Sequence, residues 1–380
     1  MSNTCTHVAI WNDNPIPIVT PLLQPDTQCD QLVLFHLRNT SVSQIQRFLS
    51  SRRITLVAVE CLDEHHLPLE CLNSLEISSI NLTQGSMQQK DALLNWARER
   101  HIPCFWLNHN TDTIAYLAPH NSTPVPVADR LKIEEFLQLK GIQVTELERQ
   151  PSQFKSWTDI ATRWVNALSH YEKGFGVLNF LAKSATADTH KSKPLTLAQQ
   201  NNTALRRLLN DLEENGLVTQ DGNRVQFANA DAKRFCNGIW LEYFALSQLK
   251  KLAKERSDIQ DIAMSVKVER GERDNVLRNE IDLIALINNR LYIIECKTGT
   301  LESKESQLAL YRLDAIADVF GPLTQGALLS FDGISPLIKR RANELNIQIL
   351  DRRKMVQLKS SINRLADKYA TPDEVNEEVL

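Results

Sequence analysis

The stretch Asn279-Glu-Ile-Asp-Leu-Ile-Ala-Leu-Ile-Asn-Asn-Arg-Leu-Tyr-Ile-Ile-Glu-Cys-Lys297 decides the fold of the C-terminal part of the chain. Two runs of β-branched and aliphatic residues flank Asn288-Asn289, and asparagine tolerates the positive φ that a two-residue primed turn requires. With those two residues as the loop, Ile287 faces Arg290, Leu286 faces Leu291 and Ile284 faces Ile293. Carried outward, the register sets Asp282 opposite Glu295 and Glu280 opposite Lys297. Side chains alternate with period two, so all four share one face, with directly opposed Cβ atoms about 4.5–5.5 Å apart.

Two carboxylates opposed across a ladder repel, and the strands that carry them are otherwise apolar on both faces, as in a covered central sheet. A divalent cation between Asp282 and Glu295 relieves that repulsion, because hard cations prefer oxygen ligands. Lys297 beside such a cation can orient or help deprotonate a water and can contact a scissile phosphate; equally, Glu280 and Lys297 can form a plain cross-strand ion pair. All nine histidines fall at or before His190. The histidine-free C-terminal half agrees with a ligand set built on Asp282 and Glu295 that is all oxygen, which suits Mg²⁺ or Mn²⁺ and argues against zinc. Upstream, Trp240, Leu241, Phe244, Ala245 and Leu249 form an apolar helical face with Glu242 beside it. Glu242 is either a further acid reaching the metal or a solvated helix residue. Downstream, Gln307 and Tyr311 are spaced i, i+4 on a helix expected over 305–319, as support for the site or as plain helix surface.

Outside this stretch, 380 residues suit two or three domains. Hydrophobic residues at 42% and charged residues at 23% exclude wholesale disorder. The longest apolar run, 283–287, is far short of the roughly 18 residues that span a bilayer, and residues 1–11 lack a signal-peptide pattern. Seven cysteines without a C-x-x-C pair read as reduced thiols of a cytoplasmic chain. With 43 basic against 46 acidic residues, a generally basic nucleic-acid binder is excluded, and polyanion contact must rest on local patches. No G-x-G-x-x-G or G-x-x-x-x-G-K occurs, which counts against dinucleotide or nucleoside-triphosphate use.

Over 1–150, short apolar runs at 7–11, 32–37, 55–61, 77–81, 104–108 and 113–117 alternate with amphipathic, helix-length stretches such as 41–51 and 85–100. That texture predicts an α/β domain with a mostly parallel, Rossmann-like sheet and helices on both faces. Asn81-Leu-Thr83 ends a strand and Gly85-Ser86 opens a helix, so free backbone N–H groups there suit a phosphate; alternatively, Thr83 and Ser86 only cap the helix. Asn12-Asp13-Asn14 occupies the equivalent edge after the first strand. Over 151–234, an amphipathic helix at 204–215 is followed by a strand, the Asp221-Gly222 turn and a second strand, the closing order of a winged-helix-like segment. Its basic residues are Arg206 and Arg207, so a structural linker fits as well as a DNA reader. Residues 235–380 form the third domain, around the hairpin.

At these residues the sequence resembles the PD-(D/E)xK nuclease superfamily. Asp282 matches its metal-binding aspartate, Glu295-Cys296-Lys297 its E-x-K, and Gln307 with Tyr311 is similar to the Q-x-x-x-Y of some branches; Ile281 stands where the motif has proline. The resemblance implies a restriction-endonuclease-like α/β domain. Mn²⁺ or Mg²⁺ would be held by Asp282, Glu295, the Cys296 backbone carbonyl and Glu242, with Lys297 supporting attack by water on a phosphodiester. The whole chain is similar to CRISPR-associated Rossmann-fold (CARF) proteins fused to such a nuclease. The distinctive pieces are Gly238-x-Trp-Leu-Glu242, Asn279-Glu-Ile-Asp282, Glu295-Cys-Lys-Thr298 and Asn81-Leu-Thr-Gln-Gly-Ser86. This resemblance implies a homodimer that binds cyclic oligoadenylate, chiefly the tetra-adenylate ring, through Asn12, Asp13, Asn14, Thr83, Gln84, Gly85, Ser86 and Lys90. Binding would switch on cutting of DNA or RNA in type III CRISPR defence. The sensor motif departs from the usual Asn-x-Thr-Gly-Gly-Thr-Lys: Gln84 replaces a glycine, Ser86 the threonine and Met87 the lysine, with Lys90 one turn on as the substitute charge. Two other functions fit the same organisation, a non-enzymatic ligand-responsive DNA-binding regulator and an ungated DNA-repair nuclease.

Overall fold

The computed structural model describes residues 4–38, 40–63, 65–117, 123–271, 276–299, 303–331 and 333–367, without the side chains of 303–306. In the first sheet, β1 (Thr6–Ile10), β2 (Gln31–Leu37), β3 (Thr55–Cys61), β4 (Ile77–Asn81) and β5 (Cys104–Asn108) run parallel in the order β3-β2-β1-β4-β5. The antiparallel strands β6 (Thr113–Tyr116) and β7 (Val125–Pro126) extend it. β1 is buried at every position, and the helix Ser43–Ser51 presents Ile45, Phe48 and Leu49 to the core. These elements lie close to the predicted runs because each carries its own apolar period. The strand order reverses between β1 and β4, so the turns that leave those two strands flank the crevice where open α/β sheets bind ligands.

Past the helix Ile133–Leu139, the chain leaves this sheet. β8 (Gln143–Glu148) pairs antiparallel with β11 (Ile259–Arg270) in the second sheet, for example Gln143 with Glu269. A boundary near 150 thus falls after a strand that already belongs to the second sheet. Next come the helices Phe154–Asn166 and Leu168–Ser184, separated at Ala167, then Thr203–Glu214 and the hairpin β9 (Val218–Asp221) with β10 (Arg224–Phe227). The expected helix–strand–turn–strand order is present. Leu205, Leu208, Leu209 and Leu212 are buried, while Arg206 and Arg207 are exposed. This segment shares one hydrophobic core with the helix Trp240–Leu252 and with Phe331 beyond it. Phe175 stacks on Trp240 with ring centroids 4.6 Å apart, and Phe331 meets Phe175 edge-on at 4.9 Å.

The second sheet has the order β15-β14-β13-β12-β11-β8, adding β12 (Leu277–Ile287), β13 (Arg290–Lys297), β14 (Thr324–Ser330) and β15 (Gln348–Leu350). The hairpin β12–β13 has the expected register: Ile287 pairs with Arg290, Leu286 with Leu291, Ile284 with Ile293 and Leu283 with Ile294. Asn288 and Asn289 hold φ of 48° and 54°, as a primed turn needs. Ile284, Leu286, Leu291 and Ile293 pack toward the helix Ser303–Phe320, whereas Leu283, Ala285, Tyr292 and Ile294 pack toward the helix Trp240–Leu252. The central strands are covered on both sides, which is why they read as continuous apolar runs.

Candidate nuclease site

Backbone pairing of β12 with β13 stops at Leu283–Ile294, one step short of the acidic pair. Past it, Asp282 Oδ2 accepts the Cys296 N–H at 2.7 Å, so a side chain takes the place of the next ladder bond. Glu295 is buried, and its Oε1 accepts from Lys297 Nζ at 2.6 Å. Arg312, on the helix Ser303–Phe320, lies 3.5 Å from the same oxygen and donates to the Glu280 carbonyl. Burial, then the charge of Glu295, pushes the Asp282 carboxyl up to about 6, against the Cys296 N–H, Lys297 and Arg312. Glu242 stands in the first turn of the helix Trp240–Leu252. Burial, then Asp282, Glu295 and Glu280, hold its carboxyl well above the usual range, while Lys297 acts in the opposite sense. Burial works against the Lys297 charge, but Glu295 beside it raises the ammonium pKa overall. Burial also raises the Cys296 thiol well above its ordinary value, so this residue offers its backbone rather than a thiolate.

The expected cross-strand pair of Glu280 with Lys297 does not form. Glu280 is exposed and lies opposite Lys267 of β11 in backbone register, while the Lys267 ammonium bridges Glu146; the β12 and β13 strands part before reaching Lys297, and Lys297 turns to Glu295. Tyr311 is also elsewhere: its hydroxyl accepts from Arg341 Nε and Nη2 at 3.0 and 2.7 Å. Gln307 is half-buried on the same helix. The residue of that helix that does reach the acids is Arg312, next to the one the spacing selects.

Two sequence pieces meet here. Gly238 has φ 128° in a kink just before the helix that carries Glu242, and a Cβ on it would lie 2.6 Å from Thr298 Oγ1. Asn179, from the helix Leu168–Ser184, donates to that hydroxyl at 3.2 Å. The absent side chain therefore lets Thr298, the residue after Lys297, close against the turn that starts the Glu242 helix. Asn179 is a positioning residue that no local pattern reveals.

Among the described residues no three Asp, Glu, His or Cys side chains form a ready-made metal cage. Lys297 and Arg312 occupy Glu295, and the Cys296 N–H occupies one Asp282 oxygen. The donors are all oxygen and repel one another, so the set fits a hard divalent cation once Glu295 is released from its cationic partners.

At the crevice of the first sheet, Gln84 ties the two predicted turns together. Its Oε1 accepts the Asn12 N–H at 2.9 Å and its Nε2 donates to the Asn14 carbonyl at 2.6 Å. Asp13 between them is exposed with φ 53°. Thr83 Oγ1 donates to Asn81 Oδ1 at 2.5 Å and accepts the Leu107 N–H at 2.9 Å, and Ser86 forms a capping box with Gln89. Gly85 has φ 101°, and a Cβ there would meet Ile10 Cδ1 at 2.7 Å. Lys90 is half-buried. Lys140, which the sequence did not single out, donates to Asn14 Oδ1 at 2.8 Å, and burial pushes its ammonium pKa down to about 8.

The tip of the β12–β13 hairpin touches the first domain. Asn289 Nδ2 donates to Asp112 Oδ2 at 2.9 Å, and Arg290 donates to the His109 carbonyl. The hairpin that carries Asp282 and Glu295 at its open end is therefore anchored in the β5–β6 turn at its closed end. No helix among the described residues is long and apolar enough to cross a membrane.

Residues 229–369 match the family described as Card1-like, endonuclease domain. Among solved structures the chain is similar to protein VC1899 from Vibrio cholerae, at 25% identity over 97% of this chain and 99% of that one, with a TM-score of 0.85. It is also similar to Can2 from Sulfobacillus thermosulfidooxidans in complex with cyclic tetra-adenylate, at 20% identity over 95% and 99% of the two chains, with a TM-score of 0.75. A type III CRISPR defence DNA nuclease activated by cyclic oligoadenylate aligns over 92% of this chain and 49% of its own, at 14% identity and a TM-score of 0.53. Among curated proteins none matches. The chain thus shares its fold with these structures, a Rossmann-like domain followed by a segment that matches the Card1-like endonuclease domain.

Proposed function

We propose that this protein is a metal-dependent nuclease of the PD-(D/E)xK type that hydrolyses phosphodiester bonds of DNA, RNA or both. In this reading it is gated by cyclic oligoadenylate, cyclic tetra-adenylate foremost, across the sensor crevices of a homodimer, in type III CRISPR defence. The observation that carries the reading is the parted end of the β12–β13 hairpin, where the buried Glu295 and the up-shifted Asp282 stand together, relieved only in part by the Cys296 N–H, Lys297 and Arg312. When bound, Mn²⁺ or Mg²⁺ would lower the pKa of a water and offset negative charge developing at the phosphate. Asp282, Glu295, Glu242 and the Cys296 carbonyl are the oxygens available to hold it. Lys297, once free of Glu295, orients the attacking water or the scissile phosphate.

At the sensor end, Asn12, Asp13, Asn14, Thr83, Gln84, Gly85, Ser86 and Lys90 line or shape the crevice, and Lys140 adds a cation in contact with Asn14. The Asn289–Asp112 and Arg290–His109 hydrogen bonds give ligand binding a route into the hairpin that carries Asp282 and Glu295. The test is a cleavage assay on single-stranded DNA, supercoiled DNA and RNA with Mn²⁺ or EDTA, with and without cyclic tetra-adenylate. Cleavage that needs Mn²⁺ and rises with the activator is expected. Cleavage in EDTA overturns the metal assignment, equal cleavage without activator leaves an ungated nuclease, and duplex binding without cutting leaves a regulator.

A further inference from the structure

We infer that Arg312 is a substrate-positioning residue, which shares Glu295 with Lys297 when the acidic face is free and turns its guanidinium to a nucleic-acid phosphate when Glu295 engages a cation. The inference rests on the nuclease reading above. Lys297 already satisfies Glu295 Oε1 at 2.6 Å, and Arg312 reaches the same oxygen only at 3.5 Å. An arginine committed to a carboxylate takes it with two parallel short bonds, and this one does not. Its other bond goes to the Glu280 carbonyl, a neutral acceptor. The Arg312 side chain is 46% exposed, against 6% for Glu295, so its planar head stands at the mouth of the acidic cluster.

The surroundings point the same way. Next along the helix, Tyr311 accepts the guanidinium of Arg341, which also lies 5.3 Å from the centre of its ring. Arg340 beside it is 82% exposed, and both arginines share Glu344. Arg312 and its helix neighbour Tyr311 thus each hold a guanidinium on the outer side of the acidic cluster, the Tyr311-bound one being shared with Glu344. A polyanion cannot approach a face bearing Glu242, Asp282, Glu280 and Glu295 unless those charges are offset. A divalent cation taking Glu295 does this and frees Arg312, whose five-donor fork matches a phosphate.

The experiment compares the full-length wild type, Arg312→Ala and Arg312→Lys, with cyclic tetra-adenylate present. Calorimetry reads Mn²⁺ affinity without nucleic acid, and cleavage of a single-stranded oligonucleotide over a salt series gives kcat and KM. For Arg312→Ala we expect KM to rise about 10–100-fold with kcat within about threefold. The salt slope of log KM should flatten by about 0.7, as for one lost phosphate contact on a single strand. Mn²⁺ affinity should be unchanged or tighter, because a competing cation has gone. Arg312→Lys should restore the salt slope but only part of KM. Weakened Mn²⁺ binding with unchanged KM would show that Arg312 merely holds Glu295 and would overturn the inference, as would wild-type KM and salt slope in Arg312→Ala. If the wild type neither binds Mn²⁺ nor cuts, the nuclease reading falls and takes this inference with it; a cutting wild type beside a silent Arg312→Ala removes the inference alone.

Discussion

The sensor crevice, at the carboxyl ends of parallel strands, and the acidic face, at the open end of an antiparallel hairpin, are both polar sites, and they satisfy their polar groups in opposite ways. In the crevice, Gln84 bridges Asn12 and Asn14, Thr83 links Asn81 to Leu107, and Ser86 closes a cap. Apart from Lys140, whose ammonium donates to Asn14, neutral donors meet neutral acceptors. On the acidic face, charges of one sign lie close together and are only partly offset by Lys297 and Arg312. The first arrangement fixes a shape. The second leaves an electrostatic deficit that a cation removes. Gly85 and Gly238 repeat the contrast, one excusing a contact with a flexible Ile10 methyl and the other a fixed approach to the Thr298 hydroxyl.

If that contrast is right, charge removal at the two ends has different consequences. The carboxyl of Asp282 ionises near 6 in the fold instead of at its ordinary 3.8, so the fold disfavours its charged form. The resulting destabilisation is full above about pH 6 and absent below about pH 4. Asp282→Asn keeps an acceptor for the Cys296 N–H, and should stabilise the metal-free protein at pH 7.5 by up to about 3 kcal/mol. The gain should shrink as the pH falls through that window; urea unfolding in EDTA at several pH values reads it, and a loss of stability at pH 7.5 would break the comparison. Gly238→Ala imposes a left-handed backbone on alanine and crowds Thr298, for a loss of about 1–3 kcal/mol. Cleavage should fall while activator affinity, measured by calorimetry, stays near wild type; reduced activator binding would mean that the two sites are not separable in this way. The smallest effect is expected at the hairpin tip. Asn289→Ala removes the bond to Asp112 and should lower the stimulation of cleavage by cyclic tetra-adenylate about fivefold, a coupling change of roughly 1 kcal/mol. Full stimulation in that variant would put the route elsewhere.

The same contrast between local and cross-fold order separates the features legible in the sequence from those hidden in it. The hairpin register was legible because alternation, an Asn-Asn turn and the parity of spacing are all local, and the structure pairs the residues that this arithmetic pairs. The strands of the first sheet were legible because each has its own apolar period. The features that escaped were non-local. Nothing in Gln143–Glu148 shows that its partner is β11, and nothing in 151–234 shows that its aromatic residues share a core with Trp240 and Phe331. Local rules also overran at the point of function: the ladder was extended to Glu280 and Lys297, whereas the strands part after Leu283 and Ile294. Arg312, Asn179 and Lys140 reach their sites across the fold, and a one-dimensional spacing selected Tyr311 in place of its neighbour.

The central claim is that Asp282, Glu295 and Lys297 form a cation-dependent phosphodiesterase centre. The most direct measurement is Mn²⁺-dependent cleavage by Lys297→Ala beside the wild type, with cyclic tetra-adenylate present and folding verified by circular dichroism. The account predicts a loss of about 10²–10⁴-fold in kcat with the fold intact. A folded Lys297→Ala that cuts at the wild-type rate would contradict it.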